Sequence, residues 1–383
     1  MNDLELFLLV LFALYLSECF NLIPRDAVAL VAPFGGRWRA VFPSSMLGSE
    51  KTGAVLGNPV PPLGRMVFCQ QWPFSVSPDS VYAYAALTLN PDGRMERAGK
   101  AWPFPAIRRV TSSEKHVRVN GEQLVRAATA PQAAAWANLL GSLSGLPQAD
   151  RAAAIDRALD SSFDADAVSA RVREWLERER FLRLLCNGLF LYLVVLLPVV
   201  AFTAGLWLTW PWLLLVLIAF MAAISVVFSR AHRVLYPGAR GEKLYALCLI
   251  GVVPTIAIRA CDYLSRHLLT GRHPLAAARA LCTDADFRAL ARRAVLDARH
   301  PILPVCPAGD EVARSAESWF RERYTAAMER FLTGCGVAIE ELIAPPVPRD
   351  ETSRAYCPRC ESEFTGTGGV CGACGGIPVQ AFK

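Results

Sequence analysis

LLCNGLFLYLVVLLPVVAFTAGLWLTWPWLLLVLIAFMAAISVVF, residues 184–228, contains no charged side chain. Only Thr209-Trp210-Pro211-Trp212 interrupts the run, so it reads as two membrane-spanning helices of about 20 residues each, joined by a tight turn. Around that hairpin the chain is 383 residues long, 53% hydrophobic and of positive mean hydropathy, which leaves room for a membrane part and two modest water-facing domains. The net charge of +6 rests on 35 Arg and 5 Lys against 34 acids. That Ala- and Arg-heavy usage points to a bacterial source. No run of five or six like charges appears, so no nucleic-acid partner is expected.

Residues 6–23 form a third apolar stretch, about 27 Å long if helical. Asp3 and Glu5 replace the basic start of a secretory signal, and Glu18 stands where a lipoprotein site before Cys19 would need a small residue. An uncleaved transmembrane anchor is therefore expected. Arginines decide orientation: Arg25, Arg37 and Arg39 follow the first span, Arg171, Arg173, Arg178, Arg180 and Arg183 precede the second, and Arg230, Arg233, Arg240 and Lys243 follow the third. The expected location is a bacterial inner membrane, with the N-terminus outside and the water-facing parts and tail cytoplasmic.

Residues 244–258 are short for a span and contain Gly251 and Pro254. Thr255, Arg259, Asp262 and Arg266 then recur at helical spacing, as in an interfacial or re-entrant helix that breaks at Pro254 and returns to the inner side. A fourth crossing is the alternative.

In the water-facing parts, residues 27–126 read mostly as strand. The sharpest signal is a hairpin across Asn120-Gly121, the pair that accepts a type I′ turn. Helices are expected over residues 131–140 and 147–159, and from Asp164 or Asp166 straight into the second span. Thr283 with Asp286 opens another helix, and Asp310 begins one that ends at Gly334 or Gly336. The fold class is a multi-domain α+β membrane protein. Its layout is an anchor at 1–23, an α+β domain at 24–183, the transmembrane hairpin at 184–229, an interfacial or re-entrant helix at 230–270, a helical segment at 271–343, a Pro-rich linker at 344–354 and a metal-binding tail at 355–383.

The tail carries the one specific motif, Cys357-Pro358-Arg359-Cys360 and Cys371-Gly372-Ala373-Cys374. Two such knuckles can bring four thiolates to one tetrahedral ion. This resembles the zinc-ribbon family over residues 355–382 only. The resemblance implies structural zinc held by Cys357, Cys360, Cys371 and Cys374 in a closed site with no open position for catalysis; rubredoxin-like iron is the rival. The other eight cysteines show no pairing pattern, which fits a reducing compartment.

Elsewhere no catalytic motif appears: the histidines form no His-Glu-x-x-His arrangement, and no catalytic residue is assigned. Glu18, Asn187, Asp262 and His267 are candidates for an intramembrane polar site at the inner leaflet, and His232 and His273 could join them there. The expected function is a membrane-tethered scaffold or adaptor whose ribbon meets a protein partner or a second copy of the chain. A membrane-embedded enzyme or transport component using that polar pocket is the alternative.

Overall fold

The computed structural model describes residues 3–23, 27–33, 36–41, 54–57, 64–89, 95–127, 129–200, 203, 206–237, 239–301, 310–374 and 376–382. Helix α1 (Asp3–Glu18) is followed by strands β1 (Phe20–Ile23), β2 (Ala27–Ala32), β3 (Arg39–Val41), β4 (Ala54–Gly57) and β5 (Arg65–Gln70). The first helix thus ends five residues before Ile23, where the sequence places the end of the anchor. Asn21 is a poor helix former beside strand-favouring Phe20 and Ile23, and pairing β1 antiparallel with β4 satisfies their backbone instead. Strand β2 lies between β3 and β5, antiparallel to both.

A second sheet contains β6 (Phe74–Val76), β7 (Ser80–Leu89) and β8 (Met95–Pro103), all antiparallel. Asn90-Pro91-Asp92-Gly93, which the sequence reads as the turn after the strand over 80–89, lies outside the described residues. A third contains β9 (Val110–Ser113), β10 (His116–Val119) and β11 (Glu122–Arg126). Asn120 and Gly121 take φ of 53° and 89° between β10 and β11, as the hairpin reading requires. The Asn120 side chain fixes the turn by accepting from the backbone N–H of Arg108 and Arg109 and donating to the Ala106 carbonyl.

Helices α2 (Ala130–Gly145) and α3 (Gln148–Ser162) lead to α4 (Ala165–Leu191), capped by Asp164, which accepts from the Ala167 N–H. As expected, α4 runs on without a break. A π-helical turn at Tyr192–Leu196 carries it into α5 (Leu197–Val200), giving one helix over 165–200. The wide turn falls just before Pro198, which has no N–H to give the preceding turn. The next helix, α6 (Leu206–Leu235), already contains Thr209-Trp210-Pro211-Trp212. The connection between the two apolar helices therefore precedes Leu206, and Pro211 costs α6 only one bond near its start.

Helix α7 (Arg240–Val252) stops where Val253 turns extended (φ −111°, ψ 106°), and α8 (Pro254–Ile258) and α9 (Ala260–Ser265) follow, parted at Arg259 (φ −96°, ψ 15°). The break falls at Pro254, as the sequence indicates. The chain then returns beside the helices that precede α4: Gly271 N–H donates to Gln132, and His273 N–H to the Ser162 carbonyl. Helices α10 (Pro274–Leu281), α11 (Asp284–Arg299), α12 (Glu311–Gly334) and α13 (Ile339–Ile343) complete this part. Thr283 and Asp310 cap α11 and α12, accepting from Asp286 N–H and Ala313 N–H.

One core unites the segments before and after the apolar helices. Phe74, Val81, Trp136, Leu140, Ile155, Leu275, Phe287 and Met328 belong to a single buried cluster, so residues 271–343 close over the sheets and helices of the N-terminal part. That cluster continues through Trp175, Leu182 and Leu189 of α4 to Ile224 and Phe228 of α6.

The outer surface of the apolar helices is a different matter. Among the described residues, every exposed large hydrophobic side chain except Val312, Val347 and Val370 lies on α1, on the helix ending at Val200, on α6 or on α7. The fold is a mixed α+β structure with two helices, over 165–200 and 209–235, long and apolar enough to cross a membrane.

Candidate metal centre

The tail folds as strands β12 (Ala355–Tyr356), β13 (Glu363–Phe364), β14 (Val370–Cys371), β15 (Ile377–Pro378) and β16 (Gln380–Ala381). Strand β12 lies between β13 and β16, while β14 pairs with β15. Each Cys-x-x-Cys pair sits in a tight turn at the end of a strand. The first is closed by Cys357 N–H to the Ser362 carbonyl (2.9 Å) and Glu361 N–H to the Cys357 carbonyl (2.9 Å), and the second by Gly376 N–H to the Cys371 carbonyl (3.0 Å). Gly376 has φ of 91°, a conformation that glycine adopts without steric cost.

These turns bring the Sγ atoms of Cys357, Cys360, Cys371 and Cys374 within 4.8 Å of one another. Cys360 Sγ and Cys371 Sγ are 3.7 Å apart. A tetrahedral ion bound by thiolates at about 2.3 Å separates its sulfurs by roughly 3.8 Å, so the cluster is of a size to hold one metal ion. Cys357, Cys371 and Cys374 are buried. Burial pushes the Cys357 thiol up, and burial with the hydrogen bond to Cys360 pushes Cys374 up further. Burial also opposes ionisation of Cys360, but hydrogen bonds from Ser362 and from the Cys374 and Cys357 thiols outweigh it and bring Cys360 down to about 7. A thiolate is thus already favoured at one corner.

The first knuckle is clamped to α11. Arg292 Nε donates to Glu361 Oε1 (2.7 Å), and its remaining N–H groups reach the carbonyls of Leu342 (3.0 Å) and Ala344 (2.7 Å). Arg359 pairs with Asp297 at 2.8 Å.

Of the four residues suggested for an intramembrane polar site, Asp262, His267 and Asn187 have described side chains. Asp262 is 3% exposed and accepts from Arg259 Nε at 3.1 Å. His267 Nε2 lies 3.2 Å from Glu242 Oε2, and its ring is 5.7 Å from that of Tyr236. Asn187 sits on α4 with Oδ1 buried and without a hydrogen-bond partner among the described residues. The Glu18 side chain lies outside the described residues. The His232 ring also lies near that of Tyr236, at 5.1 Å, whereas His273 is buried beside Phe163 and Tyr324.

One charged group escaped the sequence reading. Glu179 is buried on α4 and accepts from both Arg183 (3.0 Å) and Arg65 (2.8 Å), next to the buried thiols of Cys186 and Cys261. The spacing of Glu179 and Arg183 could have signalled half of it. Arg65, far away in sequence, could not be found that way. Among the described residues, the four tail cysteines are the only metal-sized cluster of His, Cys, Asp or Glu.

Comparison with protein-family models, with characterised protein sequences and with solved structures returns no match.

Proposed function

We propose that this chain is a membrane-tethered adaptor, with α1, α4–α5 and α6 seated in a bacterial inner membrane and a zinc ribbon presented on the cytoplasmic side. The observation that carries the reading is the closed four-thiolate cluster clamped to the soluble body. Such a site holds a fold together and leaves no position for a substrate. A tetrahedral set of four thiolates suits zinc or iron, and zinc is preferred on grounds of ordinary availability. Exposed apolar side chains gathered on the long helices support the membrane seat, since water would penalise so continuous a surface. Arginine flanking of the helices supports the cytoplasmic assignment. The ribbon turn over 365–370 is exposed and carries Val370, one of the few apolar side chains open to water away from the helices, as the contact point for a protein partner or a second copy.

Photo-crosslinking from Thr367 in membranes tests the reading. A discrete crosslinked protein is expected, lost when Cys357→Ser removes the metal; the absence of any crosslink from an intact, metal-loaded ribbon would overturn it. A second reading, a membrane-embedded enzyme or transport component, draws support from the buried, unpartnered Asn187 Oδ1. The pairing of Asp262 with Arg259 weighs against it, because that acid is already neutralised inside the packing.

A further inference from the structure

Cys360 differs from the other three thiols of the metal cluster in two ways. It is exposed, whereas Cys357, Cys371 and Cys374 are buried. It also stands between the two residues that dock the ribbon: Arg359 on one side pairs with Asp297 at 2.8 Å, and Glu361 on the other accepts from Arg292 Nε at 2.7 Å. Both partners belong to α11. The turn that aims Arg359 and Glu361 is the knuckle itself, held by Cys357 N–H to the Ser362 carbonyl and by Glu361 N–H to the Cys357 carbonyl. Strands β12 to β16 are two residues each, too short to keep that turn without the metal. Chemistry at this one open sulfur therefore reaches the metal and the docking contact together.

A second sulfur is within reach, since Cys371 Sγ lies 3.7 Å from Cys360 Sγ and belongs to the other knuckle. We propose that the ribbon is a redox latch, in which hydrogen peroxide oxidises Cys360, Cys360 closes a disulfide with Cys371, and the tail releases both its metal and α11. The Cys360 thiolate attacks one peroxide oxygen, so that an S–O bond forms, the O–O bond breaks and hydroxide leaves. The Cys371 thiolate then attacks the Cys360 sulfur, an S–S bond forms, and a second hydroxide leaves. The two sulfurs give up two electrons, peroxide takes them, and the hydroxides pick up protons as two waters. Two thiolates remain where four were needed, too few for a closed tetrahedral site. The knuckle turn then relaxes, Arg292 and Asp297 lose Glu361 and Arg359, and the 344–354 linker comes free. A reducing compartment keeps the latch shut. The proposal rests on the metal reading of the tail and is independent of the membrane seat.

The test uses full-length, zinc-loaded protein in mild detergent, treated with hydrogen peroxide. Zinc release to a chromogenic chelator, faster proteolysis within 344–354 and a Cys360–Cys371 disulfide in peptide mass spectra are expected together, and dithiothreitol with added zinc should reverse all three. Cys360→His keeps a zinc ligand but removes the reactive sulfur, so release should slow about tenfold, whereas Cys357→His should leave the response in place. Dimedone, which traps sulfenic acid in the unaltered chain, should mark Cys360 ahead of the other three ligands even if a variant fails to load. An equal rate in Cys360→His, a first dimedone adduct at a buried ligand, or a disulfide that omits Cys360 or Cys371 would overturn the proposal. So would zinc release that leaves the linker protected, or a loss that thiol and zinc cannot reverse. Failure of the metal reading shows separately, as absence of zinc before any peroxide is added.

Discussion

Arg292 Nε donates to Glu361 Oε1 at 2.7 Å, and the same guanidinium reaches the last carbonyls of the α13 turn, so one side chain joins the metal knuckle to two helices. Glu361 follows the fourth residue of the first knuckle and has φ of 59°, so the clamp also holds an unusual backbone. Replacing Arg292 with Ala should free the tail without unloading it. The expected loss is about 1–3 kcal/mol at the docking contact, discounted for partial exposure. Limited proteolysis should cut the 344–354 linker faster in this variant with the metal content unchanged; simultaneous loss of metal would show that the ribbon cannot fold undocked.

Purified chain should carry one zinc ion. Chelation, or Ser at any of Cys357, Cys360, Cys371 and Cys374, should unfold the tail and leave the remaining helices intact, because metal binding and folding are one event in so small a unit. Elemental analysis and hydrogen exchange of the tail read both effects. Free thiols without metal in freshly prepared protein would contradict this.

Ile218 is 57% exposed on α6. In water Ile218→Arg would be nearly neutral, within about 0.5 kcal/mol. In a bilayer an arginine at the middle of a span costs about 2.5–3.5 kcal/mol. The variant should therefore insert poorly, measured as the fraction resisting carbonate extraction. Unchanged insertion would argue against α6 as a span.

The Arg259–Asp262 pair is 2% and 3% exposed. Asp262→Leu alone should destabilise by about 3–5 kcal/mol, because it takes the carboxylate away from a buried guanidinium, whereas Arg259→Met with Asp262→Leu should recover most of that loss. Thermal unfolding in detergent of both singles and the double variant gives the coupling. Additive losses would mean that the two charges do not depend on each other.

His273 is 1% exposed; its Nδ1 accepts from Leu275 N–H at 3.1 Å, and burial pushes the imidazole down to about 3. The folded protein therefore holds this ring neutral while the unfolded chain protonates it near 6.5. Stability should be undiminished above about pH 6.5 and fall as the pH drops toward 3, by up to about 1.4 kcal/mol per unit from this residue. His273→Asn, which keeps a capping oxygen, should flatten that slope in a series of thermal unfolding curves. An unchanged slope would place the effect on His267 or the acids.

Local chemistry made part of this structure legible. Asn120-Gly121, Asp164, Thr283, Asp310 and Pro254 each act through their own backbone or the next turn, and each marks the boundary it implies. The cysteine quartet was equally plain, because spacing alone sets how thiols can meet. Helix α1 and Pro211 show the limit: hydropathy reports what is apolar over residues 6–23 and 209–212, but not that a strand partner at Ala54–Gly57 takes Phe20–Ile23 out of the helix. Contacts such as Arg65 with Glu179, or His267 with Glu242, depend on how distant segments pack and leave no periodic trace.

Because Tyr82 of the early sheet packs on Ala313 and Ala316 of α12, and Trp72 on Phe320, the apolar helices are synthesised between the two halves of the core they separate. The ribosome must deliver residues 184–235 before it delivers the helices that finish this core. Emergence from the ribosome therefore sets an order of events, in which the early sheet waits incomplete while the apolar helices find their place. A chain stopped before Pro274 would keep its hairpin and leave that sheet open as a surface for chaperones or proteases.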